Sequence, residues 1–141
     1  MILVLHFALT CAMFGLIWLV QIVNYPMFAE VPVRTFTRYE KRHVQRVTYV
    51  VGPLMLGEAL TGIAWLAVAT AEPARGFALA GALLLLLIWL STAFLQVPLH
   101  ARLEQAYDPR LHRRLVMTNW VRTWAWTARA LVLFLALLSQ V

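Results

Sequence analysis

The chain has 141 residues, of which 62% are hydrophobic and only 13% charged, with a mean hydropathy of +0.76. Soluble domains carry about 45–50% apolar and about 25% charged residues, so this composition excludes a disordered chain, a coiled coil and a disulfide scaffold, and points to an integral membrane protein of one domain. The net charge of +6 would suggest nucleic acid in a soluble protein, but here the basic residues fall between apolar runs and act as topology determinants, so no nucleic-acid partner is expected.

Four apolar runs follow in chain order. Residues 1–23 have only His6, Thr10 and Gln21 as polar exceptions. This run lacks a basic leader and a small-x-small cleavage site, so a retained helix is expected rather than a signal peptide. Residues 32–46 begin at Pro32, which suits a first helical position, and are expected to form an interfacial helix. The second span covers residues 47–70 and contains Gly52-Pro53 and Glu58. Glu72-Pro73-Ala74-Arg75-Gly76 then forms a tight turn, which makes the second and third helices antiparallel neighbours. The third span covers residues 77–99. Asp108-Pro109 is a good cap and first-turn pair for the last helix, whose apolar part covers residues 115–138 and carries Arg122 and Arg129. Each run is long enough to cross a bilayer with some tilt. Pro53 and Pro98 each remove one helical hydrogen bond, which produces either a kink or the edge of a cavity.

The expected fold is therefore all-α, a four-helix membrane bundle. Nine cations (Arg34, Arg38, Lys41, Arg42, Arg46, Arg102, Arg110, Arg113 and Arg114) lie in the two connections on one side, against Arg75 alone on the other. The positive-inside rule places the basic connections in the cytoplasm and both termini outside, which fits a bacterial inner membrane.

The informative residues are those that are costly to place in lipid. A charge at the bilayer centre costs about 2.5–3.5 kcal/mol on the translocon scale. Glu58 and Arg129 fall near the midpoints of their spans, and Arg122 lies about 10 Å nearer the basic side. Helical spacing gathers Asn119, Arg122, Trp126 and Arg129 on one stripe of the last helix. It gathers His6, Thr10, Met13, Ile17, Gln21 and Asn24 on the first. Trp89, Thr92, Gln96 and His100 share a stripe of the third, and Thr48, Gly52, Met55, Glu58 and Trp65 a broad face of the second. The expected result is a pocket open to the basic side, with Gln21, Gln96 and Asn119 at one depth, Asn24 and His100 above them, and Glu58 with the arginines on its floor. Intramembrane amides also serve simply to join helices, and Trp126 can stack on a planar ligand or merely pack.

No metal site is expected. The histidines form no His-x-x-x-His pair, and Glu58 lies roughly 18 Å or more from the depth of His43 and His100 along straight helices. Cys11 is the only cysteine, which excludes an intrachain disulfide. No cofactor is called for.

Two segments, Gln96-Val97-Pro98-Leu99-His100 and Asn119-Trp120-Val121-Arg122-Thr123, resemble motifs of the anthrone-oxygenase-like family of small four-helix membrane proteins. That family shows Val-Pro-(Leu/Val)-Asn at the end of the third helix and Trp/Asn-x-x-Arg-Thr in the fourth, and Tyr25-Pro26 is similar to its proline after the first helix. Asn119, Arg122 and Thr123 match, while His100 stands where the family usually has asparagine. The resemblance implies cofactor-independent oxygenation of polycyclic phenols. In that reading His100 is the base, Arg122 with Asn119 holds an oxyanion, and Glu58 orients Arg122. The ligand is then a lipophilic aromatic or quinone-like small molecule bound from the bilayer. From a different functional class, the chain reads as a non-catalytic subunit or assembly factor of a larger membrane complex, or as a homo-oligomer.

Overall fold

The computed structural model describes residues 1–140, and they form four helices: α1 (Ile2–Glu30), α2 (Val33–Val68), α3 (Ala74–Leu103) and α4 (Pro109–Leu138). All four are long and apolar enough to cross a membrane, and no strand occurs among the described residues. Short turns join them, so consecutive helices run antiparallel. α1 packs on α2 and α4, and α3 packs on the same two helices, which leaves α1 opposite α3 and α2 opposite α4 across the bundle axis. The α3–α4 contact is the most extensive and the α2–α3 contact the thinnest.

The distribution of side chains is that of a membrane bundle. Leu19, Ile22, Leu60, Ile63, Leu83 and Phe94 face outward, while His6, Gln21, Glu58, Asn119 and Arg129 are buried inside. Outward leucines meet lipid tails at no cost, whereas polar groups in the span must find partners within the protein. Two apolar clusters bracket this polar interior. One, toward the basic connections, is built around Met13, Ile17, Phe28, Phe36, Leu103 and Leu115. The other, toward the termini, is built around Leu3, Trp65, Ala78 and Leu133.

Local chemistry shapes the helix ends. Asp108 caps α4 as its sequence requires, its carboxylate accepting from the Arg110 amide at 2.7 Å and the Leu111 amide at 3.4 Å. The expected interfacial helix at 32–46 is not a separate element. It runs without a break into the second span, so α2 is one helix of 36 residues that continues through Pro53. At 1.5 Å per residue it is about 54 Å long, more than the hydrocarbon thickness, and its first turns project beyond the apolar zone.

α1 and α3 share a further feature. Each contains one wide, π-helical turn, at Val20–Asn24 and at Thr92–Gln96, and a proline follows two residues later, Pro26 and Pro98. A proline lacks the N–H for the helical bond and its ring crowds the carbonyl four residues back. Widening the preceding turn by one residue relieves this and keeps the helix going. Each wide turn also advances the inward-facing register by one residue.

In a Cys11→Ser background, a cysteine at Ala101 should label only from the side of the basic connections and one at Ala74 only from the opposite side. Membrane-impermeant maleimide labelling of intact and inverted vesicles checks this, and labelling of both positions from one side would contradict the bundle's topology.

Candidate functional site

The buried polar groups fall into two layers. The first lies at mid-span and joins all four helices. Glu58 of α2 is completely buried and accepts three hydrogen bonds, from Thr10 Oγ1 of α1 at 2.6 Å, Trp126 Nε1 of α4 at 2.9 Å and Arg129 Nε of α4 at 3.2 Å. Arg129 also donates to the Gly81 carbonyl of α3 and to His6 Nε2 of α1, the latter at 2.7 Å. A guanidinium can only donate, so His6 Nε2 accepts and its proton sits on Nδ1. Nδ1 then donates to Thr61 Oγ1 at 2.7 Å, and the Thr61 hydroxyl donates to the Gly57 carbonyl at 2.6 Å. Gly62 makes room for the His6 ring, which a Cβ at that position would meet at 3.0 Å. An apolar cleft of about 210 Å³ lies beside this layer between α2 and α3, with His6 and Arg129 in its wall.

The second layer lies nearer the basic connections. Gln21 Oε1 accepts from Asn119 Nδ2 at 2.9 Å and Thr123 Oγ1 at 3.3 Å, while its Nε2 donates to the Val116 carbonyl at 3.2 Å. Asn119 Oδ1 accepts from Arg122 Nη1 at 3.2 Å. The Arg122 guanidinium lies over the Trp126 ring at 5.2 Å, a cation–π contact, and Arg122 shares a cavity wall with Tyr25. Above it stands a chain of three groups from three helices. Glu40 Oε1 of α2 lies 2.5 Å from His100 Nδ1 of α3, and His100 Nε2 lies 2.9 Å from the Tyr25 hydroxyl of α1. A carboxylate accepts, so Nδ1 carries the proton, and Nε2 is the acceptor for the Tyr25 O–H. His43 stacks on His100, with ring centroids 6.0 Å apart.

Tyr25, His100 and Arg122 border a cavity of about 220 Å³ whose wall is mostly apolar, with His43, Thr48, Thr92, Gln96 and Glu104 as its other polar members. Two buried polar atoms of this wall, Gln96 Oε1 and Arg122 Nε, have no hydrogen-bond partner in the protein. Gln96 Nε2 donates to Thr118 Oγ1 at 3.1 Å. Buried polar atoms are almost always paired, so an unpaired acceptor and donor on one small cavity favour a polar occupant. Among the described residues, no cluster of three or more His, Cys, Asp and Glu is placed to hold a metal ion.

Of the residues singled out from sequence, His100, Arg122, Gln96, Gln21 and Asn119 come together in this second layer. Glu58, Trp126 and Arg129 do not form its floor. Glu58 pairs with Arg129 and Trp126, not with Arg122, whose guanidinium donates to Asn119. Asn24 is half-buried and lies outside the cavity, in a groove with Arg38 and Arg42. The wide turn at Val20–Asn24 explains this: stepping inward from Ile17 and Gln21, the register reaches Tyr25.

Sequence reasoning missed Glu40, Tyr25, and the partnership of His6 with Arg129. Glu40 stood among five cations and read as part of a solvated basic connection. Its spacing of four from Phe36 and three from His43 was the available signal for a buried face. His6 lies at the far end from the other histidines, as expected, but its contact with Arg129 depends on how the first and last helices are rotated against each other. Compared with models of known families, with curated proteins and with solved structures, the chain matches none.

Breaking a buried ion pair by removing one partner costs about 3–5 kcal/mol, because the other charge is left without compensation. Glu58→Gln should therefore lower the melting temperature in detergent strongly. Adding Arg129→Gln should restore part of the loss, whereas adding Arg122→Gln should restore none. Differential scanning fluorimetry of the three variants reads this out, and equal rescue by both arginine changes would refute the pairing.

Proposed function

We propose that this protein binds a lipophilic, ring-bearing phenol or quinone-like molecule in the cavity at its basic end and acts on it by proton abstraction, as a small membrane oxygenase. The observation that carries this reading is the Glu40–His100–Tyr25 chain ending on an apolar cavity beside Arg122. A carboxylate on Nδ1 fixes the imidazole tautomer and directs the Nε2 lone pair at the Tyr25 hydroxyl, which is the arrangement of an oriented general base acting through tyrosine. Proton abstraction here passes from an acidic ligand hydroxyl or methylene to Tyr25 oxygen and His100 Nε2. Arg122, the cation on the same cavity wall as Tyr25, then stabilises the ligand anion in a site from which water is largely excluded.

An electron-rich anion of this kind can reduce dioxygen without a cofactor. For a ring methylene the balanced outcome is CH2 + O2 → C=O + H2O: the C–H electrons pass to oxygen, one oxygen atom stays on carbon as the O–O bond breaks, and the base returns the protons to the other, which leaves as water. The resemblance to the anthrone-oxygenase-like family points to the same chemistry and assigns Arg122 and Asn119 the same oxyanion role. Glu58 has a different part, since it does not contact Arg122. The mid-span layer fixes the helices and does not touch the ligand. The basic connections face the cytoplasm in this reading, in the inner membrane of a bacterium.

One observation favours the alternative of a subunit in a larger complex. Trp120 and Trp124 stack on the outer face of α4 with Trp18 of α1 edge-on to both, and Trp124 is 57% exposed toward what would be lipid. Aromatic clusters of this kind are enriched at protein interfaces.

Tyr25→Phe removes a single hydroxyl from the relay. With a hydroxylated anthrone as probe, oxygen uptake should fall about 10²-fold in Tyr25→Phe and in His100→Gln, with Tyr25→Phe keeping its melting temperature. An oxygen electrode, together with absorbance of the quinone product, measures both. No turnover and no extractable aromatic in the wild type, with partner chains copurifying in fixed ratio, would replace this reading with the subunit role.

A further inference from the structure

The first turns of α2, beyond the apolar zone, carry a second feature that is independent of the cavity chemistry. Arg38, Arg42 and Arg46 are spaced four apart and lie on one helix face. All three are exposed and line an open groove of about 770 Å³, together with Asn24, Tyr39 and His43. Among the described residues none of the three arginines forms an ion pair. The carboxylate nearest them in sequence, Glu40, is buried and points to His100. Three like charges at this spacing repel one another, so the groove has a positive field that no ion pair of these arginines offsets.

Depth and chemistry together identify what fits. Arg46 immediately precedes the apolar span, so the stripe rises about 12 Å from the hydrocarbon boundary. That rise covers the headgroup layer, which adds roughly 5–7 Å on each side of the core. Guanidinium groups bind phosphate oxygens in a two-pronged fashion. Tyr39, with an apolar ring and a polar tip, suits the same depth, and the Asn24 amide adds a donor. We propose that this groove is a binding site for the headgroup of an anionic phospholipid from the leaflet on the basic side. Val47 and His43 line both the groove and the cavity, so a lipid bound here sits at the cavity's rim.

The test uses the full chain purified in mild detergent and native mass spectrometry of added phosphatidylglycerol or phosphatidylcholine. The wild type should retain phosphatidylglycerol in preference. Arg38→Gln/Arg42→Gln/Arg46→Gln should weaken its retention at least tenfold, at about 1 kcal/mol per basic residue near the surface. A control with the same charge loss on the same end, Arg110→Gln/Arg113→Gln/Arg114→Gln, should change it less than threefold. Arg42→Gln alone, expected to lose about fivefold, keeps the test readable if the triple variant unfolds. Equal weakening in both triple variants would show diffuse attraction instead of a site and overturn the proposal. So would absence of a headgroup preference in the wild type, or displacement of the lipid by millimolar inorganic phosphate, which would mark a site for the free anion.

Discussion

A carboxylate and a guanidinium in hydrocarbon are tolerable only if each one's hydrogen-bonding capacity is met by groups already fixed in place. The Glu58–Arg129 pair meets this condition by drawing on every helix of the bundle: Thr10 and His6 from α1, Gly81 from α3, Trp126 from α4 and the carboxylate itself from α2. α2 and α4 stand diagonally opposite, so the pair spans the bundle axis and ties together two helices whose backbones are held apart. Without a hydrophobic force between helices in lipid, polar contacts and close packing must set the assembly. Here a single charged centre sets rotation and depth for all four helices at once, and the apolar clusters above and below it are packed around that setting.

The second polar layer depends on the first. Gln21 and Asn119 are bonded to each other and to neighbouring groups, which joins α1 to α4 one layer nearer the basic end. Among the described residues, the buried polar atoms without a partner are Gln96 Oε1 and Arg122 Nε, whose residues line the basic-end cavity, together with Glu40 Oε2, Trp89 Nε1 and Ser91 Oγ. Where the polar groups are all matched, the protein has spent them on its own structure. Where they are left over and border a cavity, they are available to something else.

Much of this architecture was legible in the residues. Run lengths and charge placement define four spans, and helical periodicity finds the stripe Asn119, Arg122, Trp126 and Arg129, all of which are buried. The pairing was not legible, for a physical reason. Depth along a helix follows from counting residues, but the rotation of one helix against another depends on packing, and Arg122 and Arg129 are both within vertical reach of Glu58. Asn24 was misplaced by a local effect, the wide turn that a proline two residues later imposes on α1. Glu40 was hidden by its neighbours, since a lone carboxylate in a basic connection gives no sign that its helix face turns inward until Phe36 and His100 are seen beside it.

The matched wide turns of α1 and α3 have a consequence for how such a chain can diverge. A π-turn is geometrically one extra residue accommodated within a helix. A residue gained or lost without such a turn to absorb it rotates everything beyond it by about 100°, the angle between successive residues in an α-helix, while everything before it stays in place. In both helices the turn falls between the mid-span ion pair and the Tyr25–His100 contact. Single-residue insertions and deletions there would exchange the side chains presented to the basic-end cavity and leave the charged centre untouched. The fold thus separates a half that lineages must keep from a half they can rewrite, and the boundary between them is drawn by two prolines.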